Sequence, residues 1–261
     1  MKTNQTKQQL WLQVMIVAVA MTAGWCWFAF GVPYTLYTKE QLVLFVADWA
    51  AVAEYFARPA ILASIVGDYL TQFYLIIGGA ATILTLFLLL LWWGTRTALK
   101  RFGAGALSAT AWALLPVAAE VALNCHIEYP LSMTIAAVVA VWSFVAWTKV
   151  REGASKYIGA ALSNVALYWL VGAHTAIFVL GAVAWAWGEG RRVWSVVMPL
   201  AAAGAVALWG ELLYLPLSQS FCYPLIENYV INLCVSKKLL LTSCLIVSVS
   251  LLTISIYSIF S

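Results

Sequence analysis

Thr82-Ile83-Leu84-Thr85-Leu86-Phe87-Leu88-Leu89-Leu90-Leu91-Trp92-Trp93 carries no charge and does not alternate. A membrane barrel is written in short strands that alternate apolar and polar residues. This run is continuous, as a helix needs to be if it is to satisfy its backbone internally in lipid. The rest of the chain agrees. Of 261 residues, 64% are hydrophobic and 9% are charged, and the mean hydropathy is +0.93. A globule of this size cannot bury so much apolar surface, so lipid must serve as solvent. The expected fold is all-α: a polytopic membrane helix bundle of about eight transmembrane helices, with one interfacial amphipathic helix.

A span needs roughly 20 apolar residues. Eight stretches qualify: Leu10–Phe30, Tyr69–Trp93, Ala104–Leu123, Leu131–Thr148, Tyr157–Ala173, Thr175–Gly188, Val193–Trp209 and Leu239–Phe260. The first follows Lys2 and Lys7 but is too long for a signal peptide and lacks an Ala-x-Ala cleavage site. It reads as a retained span. Residues 157–188 are long for one span and short for two. Each arm of a hairpin would reach only about 22–25 Å against a core of about 30 Å.

Charge decides that question. Basic residues in short loops face the cytoplasm. Here they are Lys2 and Lys7; Arg96, Lys100 and Arg101; Lys149, Arg151 and Lys156; Arg191 and Arg192. A hairpin turning at Gly172-Ala173-His174 puts all of them on one side, whereas one long helix would expel Arg191 and Arg192. The hairpin is therefore expected, with the N-terminus cytoplasmic in a bacterial inner membrane. Glu40, Asp48, Glu54, Asp68, Glu120, Glu128, Glu211 and Glu227 then fall on the outer side. These acids are either the mirror image of the basic loops or the makings of a metal, cation or general-base site.

The first outer loop runs from Gly31 to Asp68. Thr38 and Gln41 have the spacing of a capping box. Leu42, Phe45, Val46, Trp49, Ala53 and Phe56 recur at helical spacing, Glu54 and Arg58 form an i,i+4 pair, and Pro59 ends the run. An amphipathic interfacial helix is expected over about 39–57. Residues 1–232 then form the membrane domain. From 233 to 261 there is no Ala, Gly or Trp. That tail is an eighth span, a lipid-facing helix or the product of a shifted reading frame.

Candidate chemistry is sparse. There is no phosphate loop, His-Glu-x-x-His, Cys-x-x-Cys or Gly-x-Ser-x-Gly. These absences argue against an ATPase, a zincin, a thioredoxin-like enzyme and an α/β-hydrolase. Glu120 follows Pro116 on an apolar helix, where an ionisable group is expensive unless paired. His126 and Glu128 lie in the outer loop Asn124-Cys125-His126-Ile127-Glu128-Tyr129-Pro130, and His174 marks the hairpin turn. These four are the binding candidates. Five cysteines make no metal pattern; Cys125 and Cys222, both on the outer side, could form a disulfide. No metal site and no cofactor are specified. Gly159/Ser163, Ala201/Ala205 and Gly78-Gly79-Ala80-Ala81 have helix-packing spacing.

Glu40-Gln41-Leu42-Val43-Leu44-Phe45, Tyr55-Phe56-Ala57-Arg58-Pro59-Ala60 and Gly67-Asp68-Tyr69-Leu70-Thr71-Gln72-Phe73 resemble an uncharacterised bacterial multi-pass family. There the membrane block is usually followed by a soluble helical-repeat region, which this chain lacks, and glycines often stand where it has Ala60-Ile61. The resemblance implies a membrane protein without a settled activity. The order span, long outer loop, span also looks like the GT-C class of polyprenyl-linked sugar transferases. That likeness implies a catalytic acid early in the loop, with Asp48 as nearest counterpart and Glu54 or Asp68 behind it. No paired acidic motif accompanies them.

Three functions follow in order: a membrane module or scaffold, a lipid-linked sugar transferase or its remnant, and a small-molecule transporter. Whether the chain is an enzyme stays open. Expected partners are the lipid bilayer and either another membrane protein or a lipid-linked substrate; nucleic acid is not among them.

Overall fold

A computed structural model describes residues 2–43, 45–151 and 153–213. It is all-α, with no strand among the described residues. The elements are α1 (Lys2–Cys26), closing in a π turn at Trp27–Gly31; α2 (Pro33–Leu42); α3 (Trp49–Phe56); α4 (Ile61–Thr71), closing in a 3-10 turn at Gln72–Leu75; α5 (Gly79–Arg101); α6 (Ala106–Trp112); α7 (Leu114–Asn124); α8 (Leu131–Trp147); α9 (Ala154–Val171); a 3-10 turn at Gly172–His174; α10 (Thr175–Gly188); and α11 (Arg192–Leu212). Among the described residues, five stretches are long and apolar enough to cross a membrane: Gln8–Gly31, Gly79–Arg101, Ala106–Asn124, Ala154–Gly188 and Arg192–Leu212.

The core is built around α8. This helix has no charged residue and is apolar on every side, and 13 of its 17 residues are buried. Such a helix belongs inside a bundle. Glycines let its neighbours approach. A Cβ on Gly94 of α5 would lie 2.9 Å from Val141, one on Gly181 of α10 would lie 2.9 Å from Phe144, and one on Gly67 of α4 would lie 2.9 Å from the Ser132 backbone. The spacing Gly159/Ser163 plays no such part, since the space around Gly159 is open.

Hydrogen bonds fix the directions of the helices. Trp25 donates to the Thr82 hydroxyl at 3.2 Å, and Arg96 donates to Gln13 Oε1 at 2.7 Å. α1 and α5 are therefore antiparallel. Arg96 also donates to the Thr110 hydroxyl at 3.0 Å, tying in α6. α6 and α7 part just ahead of Pro116, whose missing N–H interrupts the helix ladder.

Residues 154–188 reverse direction. Tyr157, at the start of α9, donates to Glu189 Oε2 at 2.7 Å, just past the end of α10. Its ring stacks on Trp194 at 5.2 Å, at the start of α11. At the other end Trp169 stacks on Trp209 at 5.7 Å, and Trp209 donates to the Val165 carbonyl at 2.8 Å. α9 and α11 thus run parallel with α10 against them. The reversal uses Gly172 at φ 63° and ψ −141°, a conformation that glycine adopts readily and other residues rarely do. One end of the bundle then gathers Lys100, Arg101, Lys149, Arg151, Lys156, Arg191 and Arg192; the other end holds only Lys39 and Arg58 among the described lysines and arginines.

Two expectations are corrected. Tyr69–Trp93 is not one helix. Gly78 takes φ 76°, Leu75, Ile76 and Ile77 are exposed, and the long helix begins ten residues later and ends eight later, Gly79–Arg101. The residues before the break form α4, which packs on α8. A single helix over about 39–57 is also absent. Thr38 donates to the Tyr34 carbonyl within α2, so no capping box forms. α2 begins at Pro33, Val43 is extended, and a second helix begins at Trp49. Phe45, read as part of the helical stripe, instead packs edge-on against Tyr69 at 5.7 Å. Trp147 and Trp185 both face the Lys156 ammonium, at 4.8 and 4.9 Å. The eighth expected span, Leu239–Phe260, lies outside the described residues, as does the tail from 233 onward.

Candidate functional site

The densest polar cluster lies at the acidic end, where α2 and α4 cover the α7–α8 turn. Glu120 projects from α7 into the bundle and is 1% exposed. Its carboxylate accepts from the Tyr129 hydroxyl at 3.0 and 3.1 Å and from the Thr134 hydroxyl at 2.9 Å. Asn124, one turn further on, donates to the Glu120 carbonyl and to Thr134, both at 2.9 Å. Lys39 reaches across from α2 and donates to the Asn124 carbonyl at 2.7 Å. That carbonyl ends α7, where a cation is favoured by the helix dipole.

A second acid faces the same region. Asp68 of α4 is 7% exposed and accepts from the Tyr55 hydroxyl of α3 at 2.8 Å. Arg58 lies over the Tyr55 ring at 4.6 Å. Lys39 and Asp68 line one small cleft together with Thr71, Tyr74, Ile127 and Leu131; its free interior is about 10 Å³, room for about one water.

Burial sets the protonation of these groups. Desolvation pushes Lys39 down from 10.5 to about 7, although Cys125 and Glu120 pull the other way. Desolvation likewise raises Asp68 above the usual carboxylate range, against the Tyr55 hydrogen bond and the Arg58 charge. Between about pH 7 and 10.5 the unfolded chain holds a proton on Lys39 that the folded chain does not. The Lys39 contribution therefore makes stability rise with pH across that window, by up to about 1.4 kcal/mol per unit. Thermal unfolding of purified protein should follow it. Relative to Lys39→Met, the wild type gains stability between pH 7 and 9; parallel profiles would show that Lys39 does not titrate there.

The other sequence candidates fall elsewhere. Asp48 is exposed and caps α3, accepting from the Trp49 amide at 2.8 Å. Glu54 is exposed on α3, His126 is exposed in the α7–α8 turn, and Glu128 is half-buried beside it. His174 is fully buried at the hairpin turn, far along the chain from this cluster. Cys125 accepts from the Trp27 indole at 3.3 Å; its proposed disulfide partner Cys222 lies outside the described residues. Among the described residues no three of His, Cys, Asp or Glu gather closely enough to hold a metal ion.

Sequence reasoning found Glu120 and Asp68 but missed Lys39, Tyr55, Tyr129 and Thr134. The one available signal for Lys39 was its isolation as a cation in an acidic loop. A smaller site at the basic end was missed as well. Glu189 accepts from Tyr157 and Trp185 and pairs with Arg191 at 3.4 Å. Burial pushes its carboxyl up, but those donors and the charges of Lys156 and Arg191 outweigh it and hold it below the usual range.

No curated protein and no solved structure matches the chain. A family model matches residues 7–260, running on through the composition break after Asn232. The chain therefore belongs to a family of unknown function, DUF6057.

Proposed function

We propose that this protein is a multi-pass component of a bacterial inner membrane, with its N-terminus in the cytoplasm, acting as a membrane module or scaffold for another membrane protein. The observation that carries this reading is the gathering of basic residues at one end of the bundle, which follows from the reversal at Gly172. Short basic loops are retained in the cytoplasm. The polar cluster at the other end supports a structural role, because its carboxylate is enclosed by hydroxyl donors and the adjoining cleft holds about one water. Reporter fusions test the topology. Fusions after Gly103, Gly153 and Gly190 read cytoplasmic, and those after Lys39 and Asn124 read external. An external signal at Gly190 would sink the hairpin topology.

A second reading, a lipid-linked sugar transferase, is favoured by one feature: Asp48 is exposed at the start of α3 beside Trp49, which is 78% exposed. There Asp48 could meet an acceptor hydroxyl or a divalent ion while Trp49 lies against the lipid carrier. The two readings separate on Asp48→Asn. The module predicts no change in lipid-linked sugar pools. The transferase predicts a drop in transfer of about 100-fold or more, the scale of a lost general base.

A further inference from the structure

We propose that the apolar segment Leu239–Phe260 crosses the membrane antiparallel to α11 and packs on its open face, with Lys237 and Lys238 beside Glu211. This rests on the reading of the chain as a multi-pass membrane protein. The segment lies outside the described residues, and the family match runs through it to residue 260. α11 is held by the bundle on one side, where Met198, Ala205 and Gly210 are buried. On the other side Val196, Leu200, Ala203, Ala207 and Glu211 are exposed, at spacings of three and four residues that align them on one helix face. A Cβ on Gly204, beside them, would meet nothing within 4 Å.

The face asks for a neighbour with hydroxyls. Pro199 stands inside α11 and is exposed on the same face. It has no N–H to give to the Ser195 carbonyl one turn back. In lipid no water makes good that loss, whereas a Ser or Thr hydroxyl from a neighbouring helix can. In the segment Ser243, Ser250 and Thr253 fall on one side of a helical wheel. Charge and depth agree. Lys237 and Lys238 precede the segment at the outer end, against the usual placement of basic residues. Glu211, the one acid of α11, is exposed at that end. At 1.5 Å per residue, Pro199 lies about 18 Å from Glu211 along α11, and Ser250 lies about 18 Å beyond Lys238. In the same register Ser243 comes level with Ala207, where small residues let two helices approach.

Connectivity favours this occupant over a second copy. α11 ends at Leu212, and residues 213–238 join it to Leu239. A connection of that length easily spans two adjacent helices, each about 10 Å across. The segment therefore meets the face at the high effective concentration of a tethered partner. α1 is open as well, with Leu10, Trp11, Met15 and Val19 exposed. It has neither an internal proline nor an acid to meet Lys237 and Lys238.

The test uses the full chain in native membranes, with its five cysteines replaced by serine. Under mild oxidation Ala207→Cys with Ser243→Cys should form a disulfide within one chain, because small residues on touching helices bring Cα atoms into bonding range. Ala23→Cys with Ser243→Cys is the control, with its first thiol on the exposed side of α1, and should not link. Glu211→Lys should lower the yield by up to about fivefold, the scale of an exposed ion pair, and Lys237→Glu with Lys238→Glu should restore it. A reporter fused after Ser261 of the otherwise unchanged protein should read cytoplasmic. No link from Ala207→Cys, an equal yield from Ala23→Cys, or a disulfide only between two chains overturns the proposal. So does a yield unmoved by Glu211→Lys. An external reporter signal overturns it without any cysteine variant. An alkaline carbonate wash separates this from the underlying reading. Release of the protein from membranes defeats both, whereas retention without the link defeats only the packing of the segment on α11.

Discussion

Gly67→Leu is expected to destabilise the protein by about 3 kcal/mol or more, at the upper end of what overpacking does. The reason is where the new side chain must go. α4 buries Ala63, Ser64, Gly67 and Thr71 and packs on α8. At Gly67 the nearest atoms to a Cβ are the backbone Cα and N of Ser132, at 2.9 Å. A flexible side chain could turn aside, but helix backbone cannot. The two helices must separate, and that loosens Asp68, the next residue along. Gly159→Leu is the control. It adds the same atoms to open space, so any effect stays small and favours helix, by about 1 kcal/mol at most. Thermal unfolding in detergent reads both. Equal midpoints for the two variants would mean that α4 does not pack closely on α8.

Glu120→Ala comes second, with an expected loss of roughly 2–4 kcal/mol. The substitution takes the carboxylate away from the hydroxyls of Tyr129 and Thr134, which lie in the interior with 0% exposure. Removing the acceptor of a buried donor costs about 1–3 kcal/mol per group. Lys39 also loses a nearby negative charge that favours its ammonium form. Glu120→Gln keeps an acceptor oxygen of the same size and should lose much less. An alanine variant as stable as the wild type would show that the cluster contributes no net stability. A glutamine variant as damaged as alanine would show that the charge matters more than the acceptor.

Much of the architecture was legible before any coordinates. Long uncharged runs announce helices in lipid because no other open structure satisfies the backbone there. The reversal of 154–188 was legible from charge alone: Arg191 and Arg192 had to share an end with Lys149 and Lys156, and Gly172 stood where the chain could turn. Glu120 was legible as a buried polar group that needed partners.

Tertiary structure decided the rest. Apolarity tells a residue to leave water but not whether lipid or protein receives it, since the two are about equally apolar. That is why α4 and α5 read as one span from Tyr69 to Trp93 until packing on α8 and the turn at Gly78 separated them. It is also why α8, shorter than the five long apolar stretches, proved the most enclosed helix. The cleft was illegible for a different reason. Lys39 and Asn124 are 85 residues apart, and Tyr55 and Asp68 belong to different helices. Local spacing says nothing about such partners. A lysine in an acidic loop reads as solvated until another helix end comes to meet it, and only the folded chain brings the carbonyl of Asn124 to its ammonium.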